Sequence, residues 1–382
     1  MISNDIRYVG VNDHDIDLFE GQYVVPNGIS YNSYIILDEK VAVMDTVDHR
    51  KADEYLQNVE TALAGRQPDY LVISHMEPDH ASSIQAFCAK YPGAVLVGNA
   101  KTWPILAGFG DVTNEKLTVK EGDTLPLGRH TLTFVMAPMV HWPEVMLSYD
   151  SADKVLFSSD AFGKFGALDV DEDWDCEARR YYFNIVGKYG QQVLAVLKKA
   201  AALDIATICP LHGPVLTDTI PHVLKLYTTW ASYGVESEGV FIAYATLHGN
   251  TAIAAQKLAD ILRAKGVAKV SVADLARDDM AEAIEDAFRY GKIVLAASTY
   301  DAGVMPAMAD FLHHLQGKNW QKRKVALVEN GCWAPTAART MRALLEGMKD
   351  ITVIDPVVTI RGAVKAADEQ ALEALADAIL QA

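Results

Sequence analysis

Cysteine is scarce in this chain and scattered. The four cysteines, Cys88, Cys176, Cys209 and Cys332, form no C-x-x-C pair. Rubredoxin-like, zinc-ribbon and most iron–sulfur sites are therefore absent from these residues. At this density a disulfide framework is not expected, and a reduced, cytoplasmic setting is. No run of 18 apolar residues occurs, so no transmembrane helix is expected. Met1-Ile2-Ser3-Asn4-Asp5 has neither the basic start nor the apolar stretch of a secretory signal. Basic residues are outnumbered, and the net charge is −16. That argues against non-specific binding to nucleic acid or to an anionic membrane, both polyanions. Internal repeats and low-complexity tracts are missing too. What remains is an ordinary globular composition, 50% apolar and 22% charged, over 382 residues, enough for two or three domains.

The densest chemistry lies in Tyr70-Leu71-Val72-Ile73-Ser74-His75-Met76-Glu77-Pro78-Asp79-His80. An apolar run reads as a buried strand, and within six residues two histidines and two carboxylates follow. Pro78 forbids a continuous helix or ladder through the cluster, which places it on a bent loop. Three more strand-like runs end near a metal-type side chain: Leu132–Val140 at His141, Lys154–Ser159 at Asp160, and Ile205–Leu211 at His212. Each residue taken singly reads equally well as a turn residue. Four histidines and three carboxylates delivered by four strand ends suit two ions sharing a carboxylate, with Asp160 the natural bridge. A His/carboxylate shell without thiolate suits iron or manganese. Tyr181 and Tyr182 are candidate hydrogen-bond donors beside such a site, with core packing as the alternative.

The cluster approaches the His-x-His-x-Asp-His pattern of the metallo-β-lactamase fold, with Glu77 in place of the second histidine. More closely, the chain resembles the flavodiiron proteins, or A-type flavoproteins. The resemblance is carried by His75-x-Glu77-x-Asp79-His80, His141-Trp142-Pro143, Ser159-Asp160-Ala161-Phe162-Gly163 and Leu211-His212-Gly213-Pro214. It implies one iron held by His75, Glu77 and His141, a second held by Asp79, His80 and His212, and Asp160 between them. One departure is Phe165, where many relatives carry a further histidine.

From Val240 onward strands and helices alternate strictly, which argues for a doubly wound parallel sheet. The expected fold is thus α/β, a metallo-β-lactamase-like αββα domain over residues 1–235 and a flavodoxin-like domain over 236–382. The first turn of the second domain, Thr246-Leu247-His248-Gly249-Asn250-Thr251, offers hydroxyls and backbone N–H groups at a helix start. That suits a monophosphate. It has neither the lysine of a triphosphate loop nor the glycine pattern of a dinucleotide fingerprint. Two further strand ends carry Ser298, Thr299, Tyr300, Asp301 and Gly303, and Asn330, Gly331, Cys332 and Trp333. Tyr300 or Trp333 can stack on an isoalloxazine ring, and the amides around Gly331 can bond its polar edge.

The resemblance implies FMN and two iron ions per chain, and reduction of dioxygen to water, nitric oxide to nitrous oxide, or both. It also implies a head-to-tail homodimer that brings the FMN of one subunit to the irons of the other. Because the sequence stops at Ala382, a separate electron donor is expected, a rubredoxin or a flavin reductase. Two rival classes stand beside this one. A zinc hydrolase of the metallo-β-lactamase type would turn over thioesters or phosphodiesters. A flavodoxin-like carrier with a structural metal would consume neither gas.

Overall fold

The short Val-, Ile- and Leu-rich runs of the first half pair into two sheets. In the computed structural model, which describes residues 2–382, the first sheet has the order Ile6–Tyr8, Tyr34–Leu37, Val41–Met44, Tyr70–Val72, Val95–Asn99, Lys116–Val119. The second has the order Thr124–Pro126, Thr131–Met136, Met146–Asp150, Val155–Phe157, Thr207–Cys209. Tyr34–Leu37 and Val41–Met44 form an antiparallel hairpin. Val41–Met44, Tyr70–Val72 and Val95–Asn99 then run parallel, so their C-terminal ends share one edge. The inner faces of the two sheets make one core, with Ile36, Met44, Val72 and Val97 against Leu132, Phe134, Met146 and Phe157. Each such side chain, fully buried, is worth about 1.5–3 kcal/mol. The Ala52–Leu63 helix buries Tyr55, Val59 and Leu63, an i, i+4, i+8 stripe. This is the expected αββα sandwich.

Three local expectations are corrected. Pro78 does not keep the cluster on a loop; it opens a short helix, Pro78–Ala81, that carries Asp79 and His80. Proline is tolerated there because the first helical N–H has no partner to lose. The sequence of Ala81–Lys90 reads as one helix, but the chain breaks at Ser82-Ser83 and the helix resumes at Ile84–Lys90. Both serines bond elsewhere, Ser82 Oγ accepting from His49 N and Ser83 Oγ donating to Asp48 O. The strand before His141 stops at Met136. His141 therefore sits in the connection to Met146–Asp150, where Met139 N donates to Trp142 O at 2.7 Å.

The later part of the chain forms a parallel five-stranded sheet in the order Val270–Asp274, Ser237–Ala245, Tyr290–Ser298, Arg323–Asn330, Ile351–Ile360. The chain order across it is thus 2-1-3-4-5, the doubly wound flavodoxin-like arrangement. Ile242, Val294 and Val328 pack with Leu258 and Leu262 of the Asn250–Ala264 helix and Leu375 and Ile379 of the Ala366–Gln381 helix. Two compact units result, Met1–Tyr182 with Tyr189–Thr228, and Phe183–Lys188 with Thr229–Ala382. Phe183–Lys188 joins the second unit because Phe183 stacks on Phe288 at 4.2 Å and Tyr233 Oη donates to Gly187 O. Among the described residues no helix is long and apolar enough to cross a membrane.

Asp69 staples the entry to the metal-bearing strand. Its carboxylate accepts from Val41 N and from Lys40 Nζ, each at 2.8 Å. Partial burial pushes its pKa up, but these donors outweigh burial and hold it below the usual carboxylate range. A lowered carboxylate stabilises the fold above its unfolded pKa, about 3.9, and that stability is lost as pH falls through the folded value. Asp69→Ala should cost about 1 kcal/mol at neutral pH, read as a Tm lowered by a few degrees. The gap from the parent should close in acid. A gap that stays constant from pH 7 to pH 3 would assign the effect to something other than the ionised carboxylate.

Candidate functional site

The loops leaving the two sheets of the first unit bring the seven candidate ligands together. His75, Glu77, His141 and Asp160 offer donor atoms that all lie within 4.8 Å of one another, and so do Asp79, His80 and His212. In the first group His75 Nε2 stands 3.2 Å from Glu77 Oε2 and 3.3 Å from Asp160 Oδ2. His141 Nε2 stands 2.9 Å and 3.2 Å from the same two oxygens. In the second, Asp79 Oδ2 lies 3.2 Å from His80 Nε2 and 3.1 Å from His212 Nε2. Asp160 meets this group with its other oxygen, Oδ1, 3.2 Å from His80 Nε2 and 3.8 Å from His212 Nε2. One carboxylate thus turns a different oxygen to each half.

These separations test whether metal ions fit. With bonds of about 2.1 Å, neighbouring donors stand about 3.0 Å apart in an octahedral shell and about 3.4 Å apart in a tetrahedral one. The observed edges, 2.9–3.3 Å, match that range closely except for the 3.8 Å between His212 Nε2 and Asp160 Oδ1. Both oxygens of Asp79, Asp160 Oδ1 and His141 Nε2 are buried without a hydrogen-bond partner, the condition of lone pairs kept for an ion. Burial opposes charge on every group here, and mutual attraction overrules it. Asp160 and Asp79 are held far below the carboxylate range by the facing imidazoles. His75 is pushed well up, His80 to about 10 and His141 to about 9, by Asp160 and by Asp79 or Glu77. Metal ions binding such a cluster displace imidazole protons and take over the charge balance.

The surroundings fix the ligands. His75 Nδ1 bonds Glu144 Oε1 at 2.8 Å, and Met76 N donates to the same oxygen at 2.8 Å. His212 Nδ1 donates to Ser30 O at 2.7 Å, which leaves Nε2 free to ligate. Asp45 Oδ1 accepts from Ser74 N at 2.7 Å and from His75 N at 3.3 Å, so the turn into the cluster is set by a buried carboxylate. Thr46 Oγ1 donates to His80 O. The sequence reading missed Glu144, Asp45 and Ser30. Glu144 alone carried a signal, three residues after His141 beyond a Trp-Pro turn.

One wall is aromatic. Tyr181 lies with its ring 5.5 Å from that of His212, and its hydroxyl, fully buried, has no hydrogen-bond partner. Burial and then the charges of Asp160, Asp79 and Glu77 push its pKa well up, so it stays a neutral phenol. Tyr182 packs edge-on against Tyr227 at 5.1 Å. Phe165 is buried between Phe19, Tyr23 and Tyr181, with the Arg180 guanidinium 4.8 Å from its ring centre. Phe19 also touches the His212 ring, at 5.5 Å. It belongs to a two-strand hairpin, Leu18–Phe19 with Tyr23–Val24, whose turn presents Glu20. That residue is exposed as a whole, yet its carboxyl end reaches Glu77. Crowding and the Glu77 charge push its pKa up to about 8.

In the second unit the loops after the first, third and fourth strands enclose a cleft of about 350 Å³. It is lined by Thr246, Leu247, His248, Asn250, Thr251, Ser298, Thr299, Asp301, Asn330, Gly331, Cys332 and Trp333 of the predicted set, together with Ala302, Ala334 and Gly362. The predicted Gly249, Tyr300 and Gly303 belong to the same loops without lining it. Gly249 caps the Asn250–Ala264 helix at φ 87°, and its N–H donates to Thr246 Oγ1 at 3.0 Å. Gly331 has no room for a side chain, since a Cβ there would stand 2.7 Å from Pro335 Cα. Gly362 was missed because it follows the fifth strand; it exchanges two hydrogen bonds with the Asn330 side chain. Trp333 is 88% exposed, so it is not part of the core. The cleft lies at the sheet's topological switch point, where this fold takes its ligands. Its hydroxyl-lined helix start and apolar lips fit a flavin monophosphate.

Comparison with known proteins agrees with both halves. A model described as ODP family beta lactamase matches residues 29–213, and a flavodoxin-domain model matches residues 241–367. The anaerobic nitric oxide reductase flavorubredoxin of Salmonella arizonae is 30% identical over 360 residues, 91% of this chain and 75% of that one. The chain belongs to the flavodiiron proteins. Among solved flavodiiron structures, the rubredoxin:oxygen oxidoreductase of Desulfovibrio gigas is 26% identical, with a TM-score of 0.93, covering 100% of this chain and 97% of that one. The flavodiiron protein of Giardia intestinalis, at 24% identity and a TM-score of 0.90, covers 99% and 95% and shares the fold.

For this flavodiiron chain, Glu144→Gln should leave the fold intact and weaken metal retention about 10- to 100-fold. Metal content during chelator titration reads this. Asp160→Asn should lose one or both ions outright; a full complement in purified Asp160→Asn would argue against the bridge.

Proposed function

We propose that the chain is an FMN- and diiron-dependent reductase of dioxygen, nitric oxide or both, acting in the cytoplasm with a separate electron donor. Residues 1–235 carry the irons and residues 236–382 the flavin. The observation that carries the reading is Asp160, with one oxygen toward His75 and His141 and the other toward His80 and His212. His75, Glu77 and His141 hold one iron, and Asp79, His80 and His212 the other. Glu77 supplies an anionic oxygen where a zinc hydrolase of this fold carries a neutral imidazole, which favours a redox metal. When bound, the iron pair and FMN supply the multi-electron reduction of a diatomic gas.

The protein's own groups prepare that chemistry. Glu144 and the Ser30 carbonyl hold His75 and His212 in the tautomers that leave Nε2 to the metals. Tyr181 offers a neutral hydroxyl with no competing partner beside His212, placed to donate a hydrogen bond to a developing negative oxygen. Tyr182 backs it through Tyr227. Phe19 and Phe165 exclude water from the same side. In the second unit Thr246, Thr251 and the Asn250 helix start receive the phosphate, Asn330 and Gly331 the ring edge, and Trp333 or Tyr300 its face.

Electron transfer needs the flavin close to the irons. The lips of the flavin cleft expose Leu247 and Trp333, the adjoining loop exposes Tyr300, and the hairpin beside the metal cluster exposes Leu18 and Val24. A head-to-tail homodimer that joins these apolar surfaces would shorten the path. The D. gigas relative is named for rubredoxin and oxygen, the curated relative for nitric oxide. These 382 residues hold no C-x-x-C pair, so a rubredoxin-type donor site is not among them, and a rubredoxin or a flavin reductase is the expected partner.

Natively isolated protein should contain iron near two and FMN near one per chain, and consume one or both gases with reduced donor. Zinc alone with thioester or phosphodiester turnover would favour the hydrolase. Heterodimers of an Asp160→Asn subunit and a flavin-free subunit should regain activity that neither parent homodimer has. Verified heterodimers without recovery would rule out electron transfer between subunits.

A further inference from the structure

The first unit contains a second cavity, of about 150 Å³, and every residue lining it has a hydrocarbon side chain. Its inner wall is made by Leu156, Ile208 and Phe162, each buried to within about 1% of its surface. Leu156 and Ile208 lie on the strands that lead to Asp160 and His212. Phe162 follows the bridging aspartate by two residues and is pinned in place. Its backbone N–H donates to Tyr227 Oη at 2.6 Å, and its ring lies 4.6 Å from the Tyr227 ring. Toward solvent the lining is looser, with Leu197 and Leu224 half-buried and Ala201 exposed.

No side chain in this lining can hold water, which needs two to four polar partners. An enclosed apolar cavity of this size takes xenon or a small hydrocarbon, and the inner end of this one, at Leu156, Phe162 and Ile208, is buried. It is too small for a peptide or an acyl chain. We propose that it is a binding site for small apolar gas molecules, held next to the loop of Asp160 and feeding the metal centre from the side of Phe162. The feeding role rests on the reductase reading above; the gas site itself does not. Dioxygen and nitric oxide are nearly apolar and partition from water into hydrocarbon, so such a site raises their local concentration beside the ligands. The surrounding shell also keeps water and ions from following the same route.

Crystals of the holoenzyme under xenon pressure should show xenon between Phe162 and Ala200. Ala200→Phe fills the cavity from the Gly190–Ala200 helix, and Leu197→Phe narrows its half-buried mouth should the first variant fold poorly. Neither residue touches a candidate ligand in the site described above. Both variants should keep iron and FMN, lose the xenon peak, and raise KM for the gas severalfold with kcat unchanged. Wild-type crystals without xenon, in protein that still turns over gas, would overturn the site. Xenon bound with KM unchanged in the filled variants would overturn the feeding role. Xenon bound in protein that turns over no gas would overturn that role through the reading it rests on, while leaving the gas site standing.

Discussion

Asp160, fully buried, turns one oxygen to each half of the cluster, and the architecture of the first unit serves that carboxylate. A buried carboxylate is costly unless cations face it. Here His75 and His141 face one oxygen, His80 and His212 the other. To bring them there, the sandwich aligns the exits of strands from both of its sheets. The common core between the sheets, from Met44 and Val72 to Phe134 and Phe157, is what holds those exits in register. The position of the candidate ligands is therefore set by packing many residues away from them.

The flavin cleft is built on a different principle. No single charge organises it. The crossover of the chain between the first and third strands leaves a crevice at the sheet's C-terminal edge, and three loops close around it. The demands on sequence are local and steric: a left-handed turn at Gly249, close approach at Gly331, hydroxyls at Thr246 and Thr251. Its most prominent side chain, Trp333, is spread on the surface. A large indole left in water is a cost that contact with a ring or a protein surface removes.

The two sites differ in what else they need. The metal cluster is internally balanced, each donor group orienting another, with Glu144, Ser30 and Asp45 supplying the outer bonds. An aromatic wall of Phe19, Phe165 and Tyr181 stands on one side and a hydrocarbon cavity behind Phe162 on another. Polar chemistry is thereby confined to a few atoms, which strengthens every electrostatic interaction among them.

By itself the sequence determined the candidate ligands, their order and the strand ends that carry them, because apolar runs closed by His, Glu or Asp are local signals. It determined the strand–helix alternation of the second half for the same reason, and most of the residues that line the cleft of the second unit. Tertiary structure alone decided the rest. That the helix opened by Pro78 stops at Ser82-Ser83 depends on the bonds those serines make to the distant Asp48-His49 segment. That Tyr181 faces His212 while Tyr182 faces Tyr227 follows from helix rotation, which two adjacent tyrosines do not encode. Glu144, Asp45, Ser30, Glu20 and Gly362 reach their sites through space, from turns and strands with no motif of their own. Contacts between residues far apart in the chain leave no periodicity to read, and only the folded packing makes them neighbours.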